Sequence, residues 1–376
     1  MKVIVSGYVG KKITGIGRNL IETLNSIEDK NLEFVVYTNF DMKDDMVFTN
    51  PRVSVKYYNV SRNNPIGNLL WTTFVLPLKA IKEKATETLI TNFTLLLFPT
   101  KPTVIYLHDM TEYHVSGKQT KLRMFYRKKF AIPITAKKAA RIITVSNSSK
   151  KDIMEILGVP ENKITLIYPG IKRENFRKIE KEEALKRIKG RKWELPFILY
   201  VGTIDHPGRN IINLVKAFEK LKTSNKYNGK LLLAGGKGKG YEVVEEYINK
   251  SSEKNDIILA GFVTDKELEA LYSLCDVFCY LSLYEGFGLP PLEAIASGAK
   301  SITSNTSSLP EAVGDVGIKV DPLDVDAIST AILSVVSEDE EPFYKERVEK
   351  HLSKFSWSEG AKILATVLNE VGKRNK

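Results

Sequence analysis

Two glutamates eight positions apart, Glu285 and Glu293, bracket Glu285-Gly-Phe-Gly-Leu-Pro-Pro-Leu-Glu293, the stretch of the chain best furnished for chemistry. A carboxylate accepts hydrogen bonds from sugar or ribose hydroxyls. Pro290-Pro291 suits a first helical turn, which places Gly286, Phe287, Gly288 and Leu289 where a loop feeds a helix start. Backbone N–H groups and the positive helix end favour an anion there, and glycine lets backbone approach it closely. The stretch reads as a site for a diol and a phosphate together.

Other candidates stand where apolar runs end. His108-Asp109 follows the run 103–107, and residues just past strand carboxyl ends line the crevice of parallel sheets. A histidine there can donate to a sugar hydroxyl or manage a proton near neutral pH. Arg209 lies in the loop 203–210, between an apolar run at 196–202 and a helical pattern at 211–221. Its guanidinium suits phosphate oxygens. Gly15 and Gly17 punctuate the loop after the first apolar run, 2–6.

The elements that must hold these residues alternate. Runs at 2–6, 34–38, 53–57, 89–93, 103–107, 139–145 and 163–168 read as strands of a first half. Runs at 196–202, 229–236, 256–263, 276–281 and 300–304 read as strands of a second. Helical patterns such as 68–84 lie between them, and strands alternating with helices imply parallel sheets. Ser146 is expected to cap one helix and Thr264-Asp-Lys-Glu267 to open another with a capping box. The charged stretch 172–191 reads as linker plus surface helix, 342–352 as a charged helix and 359–371 as a closing amphipathic helix.

The E-x7-E spacing in its EGFGLPPLEA setting resembles the retaining glycosyltransferases of family 4, mannosyltransferase-like branch. The resemblance implies an α/β GT-B fold, two Rossmann-like domains facing across a cleft. Residues 1–170, with a C-terminal helix at about 356–376 crossing back, would bind the acceptor; 171–355 would bind the donor. It implies that Glu285 accepts from sugar hydroxyls and Glu293 from ribose, and that His108-Asp109 lies near the transferred sugar. It also implies that Gly15 and Gly17 border the phosphates, and that Gly202, Thr203 and Arg209 form the diphosphate loop. Gly261, Phe262 and Val263 would meet the nucleobase through backbone. Thr203 and Gly208 depart from the family, which often has cations there, which implies weaker diphosphate binding or a cation supplied from elsewhere, such as Lys237 or Lys239. The expected activity is metal-independent, retaining transfer of a hexose to a glycan or lipid-linked glycan. GDP-mannose is the first expectation and a UDP-sugar the second; the nucleotide-diphosphate sugar is a co-substrate, and no cofactor is expected. The rivals are a UDP-sugar epimerase of the same fold and a non-catalytic binder of sugar nucleotides or nucleic acid.

With 376 residues and 43% hydrophobic content, the chain is long enough for two cores. Cys275 and Cys279, both in one apolar run, fit neither a zinc site nor a disulfide framework. No signal peptide is read at the start, and no window nears about 18 consecutive apolar residues, so a cytoplasmic location is expected. The net charge of +11 and the sequence KQTKLRMFYRKK at 118–129, with six cations among aromatic residues, suit peripheral contact with an anionic membrane face. No nucleic acid is expected as partner. Asp324-Val-Asp326 spells D-x-D but sits where a helix opens, and is read as a cap rather than a metal site.

Overall fold

The computed structural model describes every residue except 11, 12, 14, 93, 116–120, 338–343 and 374–376. Two compact units emerge. One holds Met1–Tyr113, the chain up to Gly170, and Phe355 onward; the other holds Ile171–Lys354 with a few residues from His114.

The first unit is built on seven strands: β1 (Lys2–Ser6), β2 (Glu33–Asn39), β3 (Val53–Tyr58), β4 (Glu87–Ile90), β5 (Thr103–Tyr106), β6 (Arg141–Thr144) and β7 (Ile164–Leu166). They pair in parallel in the order β3-β2-β1-β4-β5-β6-β7. β1, β4 and β5 are buried along nearly their whole length, as expected of strands covered on both faces. One face is covered by the helices Gly15–Asn25 and Trp357–Lys373, whose Leu20, Leu24, Leu364, Leu368 and Val371 pack with Val3, Val5 and Phe34. Each such side chain contributes about 2 kcal/mol. Gly170 lies so close to the closing helix that a Cβ there would meet the Trp357 backbone nitrogen at 2.3 Å.

The second unit has six parallel strands, β8 (Phe197–Val201), β9 (Lys230–Ala234), β10 (Ile257–Gly261), β11 (Val277–Tyr280), β12 (Ser301–Ser304) and β13 (Ile318–Val320), ordered β10-β9-β8-β11-β12-β13. Strand order reverses between β8 and β11, and ligands of such sheets bind outside the strand carboxyl ends at that switch.

Local signals mostly hold. Ser146 accepts from Ser149 N–H at 3.0 Å, the capping box at Thr264 and Glu267 forms, and Asp324 caps its helix through Asp326 and Ala327 N–H. Three differences stand out. The helical run at 68–84 starts at Pro65 and contains a π-turn, Trp71–Val75, between Pro65–Leu70 and Leu76–Lys82. β13 was not read as a strand; it has three residues, two of them exposed, too little pattern to see. β4 begins at Glu87 and ends at Ile90, two to three residues earlier than the sequence suggests. Phe93, Thr14, residues 118–120 of the basic stretch and 342–343 of the charged helix lie outside the described residues.

That shift buries an acid. Glu87 is fully buried, neither carboxyl oxygen has a hydrogen-bond partner, and burial pushes its pKa up to about 8. An ordinary glutamate titrates near 4.3, so between about pH 4.3 and 8 the folded chain holds more protons here than the unfolded one. This contribution is complete below pH about 4 and is lost as pH rises to 8. Glu87→Gln is therefore expected to match the parent at pH 4.5 and to exceed it at pH 8 by on the order of 4 kcal/mol. Denaturant titrations at the two pH values measure this; equal differences at both would refute it.

Candidate functional site

The switch between β8 and β11 is where the sequence-predicted groups of the second unit converge. β11 ends at Tyr280, and the loop after it carries Ser282 and Glu285 to the helix Leu289–Ala296. Gly288, at φ +107°, turns the chain into that helix; a Cβ there would also meet Leu309 Cδ2 at 2.7 Å. Pro290 and Pro291 occupy the first turn as expected. They also remove two of its N–H groups, so an anion at this helix start finds fewer donors than a general helix would offer. Positive charge must come from a side chain.

Arg209 supplies it. From the loop after β8, its guanidinium reaches Glu285 as an ion pair and the Tyr280 hydroxyl as a hydrogen bond. Nη1 lies 3.4 Å from Ser282 Oγ, and Nε lies 3.6 Å from Asp205 Oδ2 without a hydrogen-bond partner. Burial opposes the charge, but Tyr280, Tyr200 and Asp205 outweigh it and hold the guanidinium charged. The Tyr280 hydroxyl also donates to Glu285 Oε1 at 3.3 Å. Arginine, tyrosine and glutamate thus form one closed triangle.

The backbone around Glu285 is fixed from several sides. Its N–H donates to Ser307 Oγ at 3.0 Å, and Ser307 holds φ +53°, a left-handed conformation that a serine adopts at a cost. The Ser308 hydroxyl spans the carbonyls of Glu285 and Phe287, at 3.0 and 2.8 Å. Leu283 N–H donates to the Gly208 carbonyl at 2.9 Å and ties the two loops together. Gly208, which supplies no cation, contributes that acceptor. Glu293 falls in the second helical turn, buried, with the Tyr272 hydroxyl donating to it at 3.4 Å.

The remaining candidates of this unit line the neighbouring strand ends. Gly202 and Gly235 follow β8 and β9 at φ +152°, and Thr203 is exposed beside them. Gly235 N–H donates to the Gly261 carbonyl at 2.8 Å, and Gly261 (φ +68°), Phe262 and Val263 leave β10 there, with Phe262 81% exposed. Lys237 pairs with Glu245 at 3.8 Å and lies over the Tyr241 ring; Lys239 is exposed. Arg209 is the cation drawn into the triangle.

In the first unit, His108 follows β5 and its Nε2 lies 2.9 Å from the Thr91 carbonyl. Nε2 therefore donates, and Nδ1 carries the lone pair. Burial holds the imidazole below its ordinary range, hence neutral at pH 7. This narrows the sequence expectation: with Nε2 donating to Thr91, Nδ1 of the neutral ring can accept a hydrogen bond but cannot donate one. Asp109 accepts from Thr111 N–H at 2.8 Å, capping a short helical turn. Gly15 and Gly17 were expected in the loop but lie in the first turn of the helix Gly15–Asn25, where Gly17 is buried beneath Val9 and Ile13 and leaves no room for a side chain.

Sequence reasoning missed Tyr280, Asp205, Tyr272, Ser307 and Ser308. Tyr280 had a usable signal, as the last residue of a strand whose end was marked as a site. The serines lie in the loop 305–311, which the family resemblance sets near the ribose and phosphates, but their own role, packing two loops together, left no mark in the letters.

Two Rossmann-like units of parallel strands define the class, and solved structures agree. The chain aligns over 99% of its length with 99% of a sucrose-phosphate synthase from Thermosynechococcus elongatus (TM-score 0.75, 18% identity). It aligns over 98% with all of the HepE protein of Anabaena, solved with UDP-glucose (TM-score 0.74, 15% identity). The fold is GT-B. The family described as Glycosyltransferase Family 4 matches residues 13–175, and that described as Glycosyl transferases group 1 matches 181–350. The chain belongs to this glycosyltransferase family. Among curated relatives, it is 32% identical over 239 residues to O-antigen chain mannosyltransferase B of Escherichia coli, covering 63% of this chain and 61% of that protein. It is 32% identical over 255 residues to the serotype-specific mannosyltransferase WbdA of the same species, covering 64% of this chain and 30% of that one. It is also 29% identical over 201 residues to an MMP alpha-(1->4)-mannosyltransferase of Mycolicibacterium hassiacum, covering 53% and 45%. The matched stretch spans less than two thirds of each of these relatives.

Proposed function

We propose that the chain is a configuration-retaining glycosyltransferase that moves mannose from GDP-mannose to a hydroxyl of a growing, lipid-linked glycan. The observation that carries the reading is the Arg209–Tyr280–Glu285 triangle at the β8/β11 switch. In this reading a donor diphosphate takes the guanidinium from Glu285. The exchange does two things at once: it neutralises charge that develops on the leaving diphosphate and releases the Glu285 carboxylate to accept from hydroxyls of the sugar. Glu293, held by Tyr272, accepts from the ribose. The positive charge comes from Arg209 and the helix start rather than from a metal. The mannosyltransferase relatives favour mannose, and the reading places the protein in the cytoplasm. Among the described residues, no helix is long and apolar enough to cross a membrane.

A thermal-shift panel of GDP-, UDP-, dTDP- and ADP-sugars tests it. GDP-mannose at about a hundredfold excess over Kd is expected to raise the melting temperature by about 5 °C. No shift with any donor overturns the reading. A shift with a UDP-sugar alone overturns the choice of mannose while leaving the transferase standing. The anomeric configuration of the product, read by NMR, then tests retention.

A further inference from the structure

A row of hydroxyls fastens the loop that carries Glu285. Ser304, at the end of β12, donates to the Ser282 carbonyl at 2.7 Å, Thr306 to that of Leu283 at 3.1 Å, and Ser308 to those of Glu285 and Phe287. Ser307 breaks the series. Its Oγ receives the Glu285 N–H at 3.0 Å instead of giving to a carbonyl. A hydroxyl carries one proton and two lone pairs, so an oxygen that accepts still has a proton to give. Among the described residues, no acceptor takes it.

The backbone presents this hydroxyl at a cost. Ser307 stands at φ +53°, a conformation disfavoured for any residue with a Cβ, and strain of this kind gathers at functional sites. Ser304 and Ser308 are fully buried, whereas Ser307 keeps part of its surface open. Two residues on, Leu309 Cδ2 lies where it would meet a Cβ on Gly288 at 2.7 Å, so the segment packs on the start of the helix Leu289–Ala296. Ser307 is thereby close to both Glu285 and that helix start.

Prolines 290 and 291 leave the helix start short of N–H donors. A diphosphate, which offers only acceptors, finds charge there in Arg209 but too few neutral donors. The Ser307 hydroxyl fills that need. In the proposed function Glu285 accepts from the sugar, so the phosphate nearest to Ser307 is the β-phosphate, the one esterified to the sugar.

We propose that Ser307 is a catalytic residue of the donor site whose hydroxyl donates to the β-phosphate of the nucleotide sugar. The serine keeps its proton throughout. As the bond from sugar to oxygen breaks, the electron pair stays on the β-phosphate, and the hydrogen bond strengthens with the charge that gathers there. The inference rests on the donor reading above and adds a neutral donor beside the Arg209 charge.

Ser307→Gly and Ser307→Ala in the full chain test it, with GDP and UDP titrated by calorimetry beside initial rates and melting temperatures. Glycine adopts φ +53° freely, so Ser307→Gly is expected to melt within about 2 °C of the parent or above it. Both variants are nevertheless expected to bind the diphosphate that the parent prefers about tenfold more weakly, and to turn over about a hundredfold more slowly. The matching monophosphate, GMP or UMP, lacks the β-phosphate and is expected to bind parent and variants alike. A purely structural serine predicts otherwise. Loss of the anchor on the Glu285 N–H would loosen Glu285 from Arg209, which leaves diphosphate binding equal or tighter; weaker binding therefore reports a direct contact. Variants that bind the diphosphate like the parent, or that lose the monophosphate to the same degree, overturn this inference alone. A parent that binds neither GDP nor UDP overturns the donor reading and this inference with it.

Discussion

Glu285→Gln is expected to lower the turnover of sugar transfer about a thousandfold, roughly 4 kcal/mol of transition-state stabilisation, while the protein stays folded. Glutamine keeps the shape of the side chain, and the loop is held through its backbone: Glu285 N–H on Ser307, the Glu285 carbonyl on Ser308, and Leu283 on Gly208. None of these bonds uses the carboxylate. What the variant loses is the negative charge that the donor's hydroxyls would meet. The triangle makes a second, opposite prediction for the nucleotide. Glu285 occupies Arg209, so a diphosphate must compete with it; without that charge, GDP alone is expected to bind as tightly as before or up to about tenfold tighter. Calorimetry with GDP and initial rates with GDP-mannose separate the two. A variant that transfers at the parental rate, or one that loses GDP binding along with activity, would show that Glu285 acts otherwise.

Gly235→Ala is expected to be the most damaging single methyl in the second unit. An added Cβ would stand 1.8 Å from the Gly202 carbonyl oxygen, in a backbone conformation of φ +152° that side chains rarely adopt. Both partners are main chain at the ends of β8 and β9, so no side chain can rotate away. The strands must part or the loop carrying Thr203 must move, at a cost of about 4 kcal/mol or more. Gly236→Ala is the control: it is the next residue, and a Cβ there meets nothing within 4 Å. We expect the first to lose several degrees of melting temperature and its donor-induced shift, and the second to keep both. Equal behaviour would mean that the two loops are not closely apposed in solution.

Glu285, Glu293, Arg209 and the glycines were legible because strand, loop and helix start are local patterns, and the residue that follows a strand is placed by its number. The triangle was not legible. Arg209 and Tyr280 are 71 positions apart, and their meeting follows from β8 and β11 being neighbours, an order that short apolar runs do not specify. Prolines 290 and 291 announced the helix start correctly, yet their missing N–H groups shift the work of binding an anion onto Arg209, which only the assembled site reveals. The π-turns lie inside sequences that read as ordinary helix, because a single wide turn leaves no compositional mark. Glu87 was hidden for a simpler reason: an acid at a strand's start looks like surface until the closing helix is laid over it.

That closing helix also sets a timetable. Val3, Val5, Leu20 and Leu24 share their core with Leu364, Leu368 and Val371, and Gly170 abuts Trp357, so the sheet made earliest on the ribosome is finished by residues translated after the whole of the second unit. At ordinary elongation rates the gap lasts roughly ten to forty seconds. Through that interval the helix Gly15–Asn25 alone covers this sheet face and the part the closing helix will fill stays open, which makes the nascent chain a natural client for a chaperone that waits at the exit tunnel.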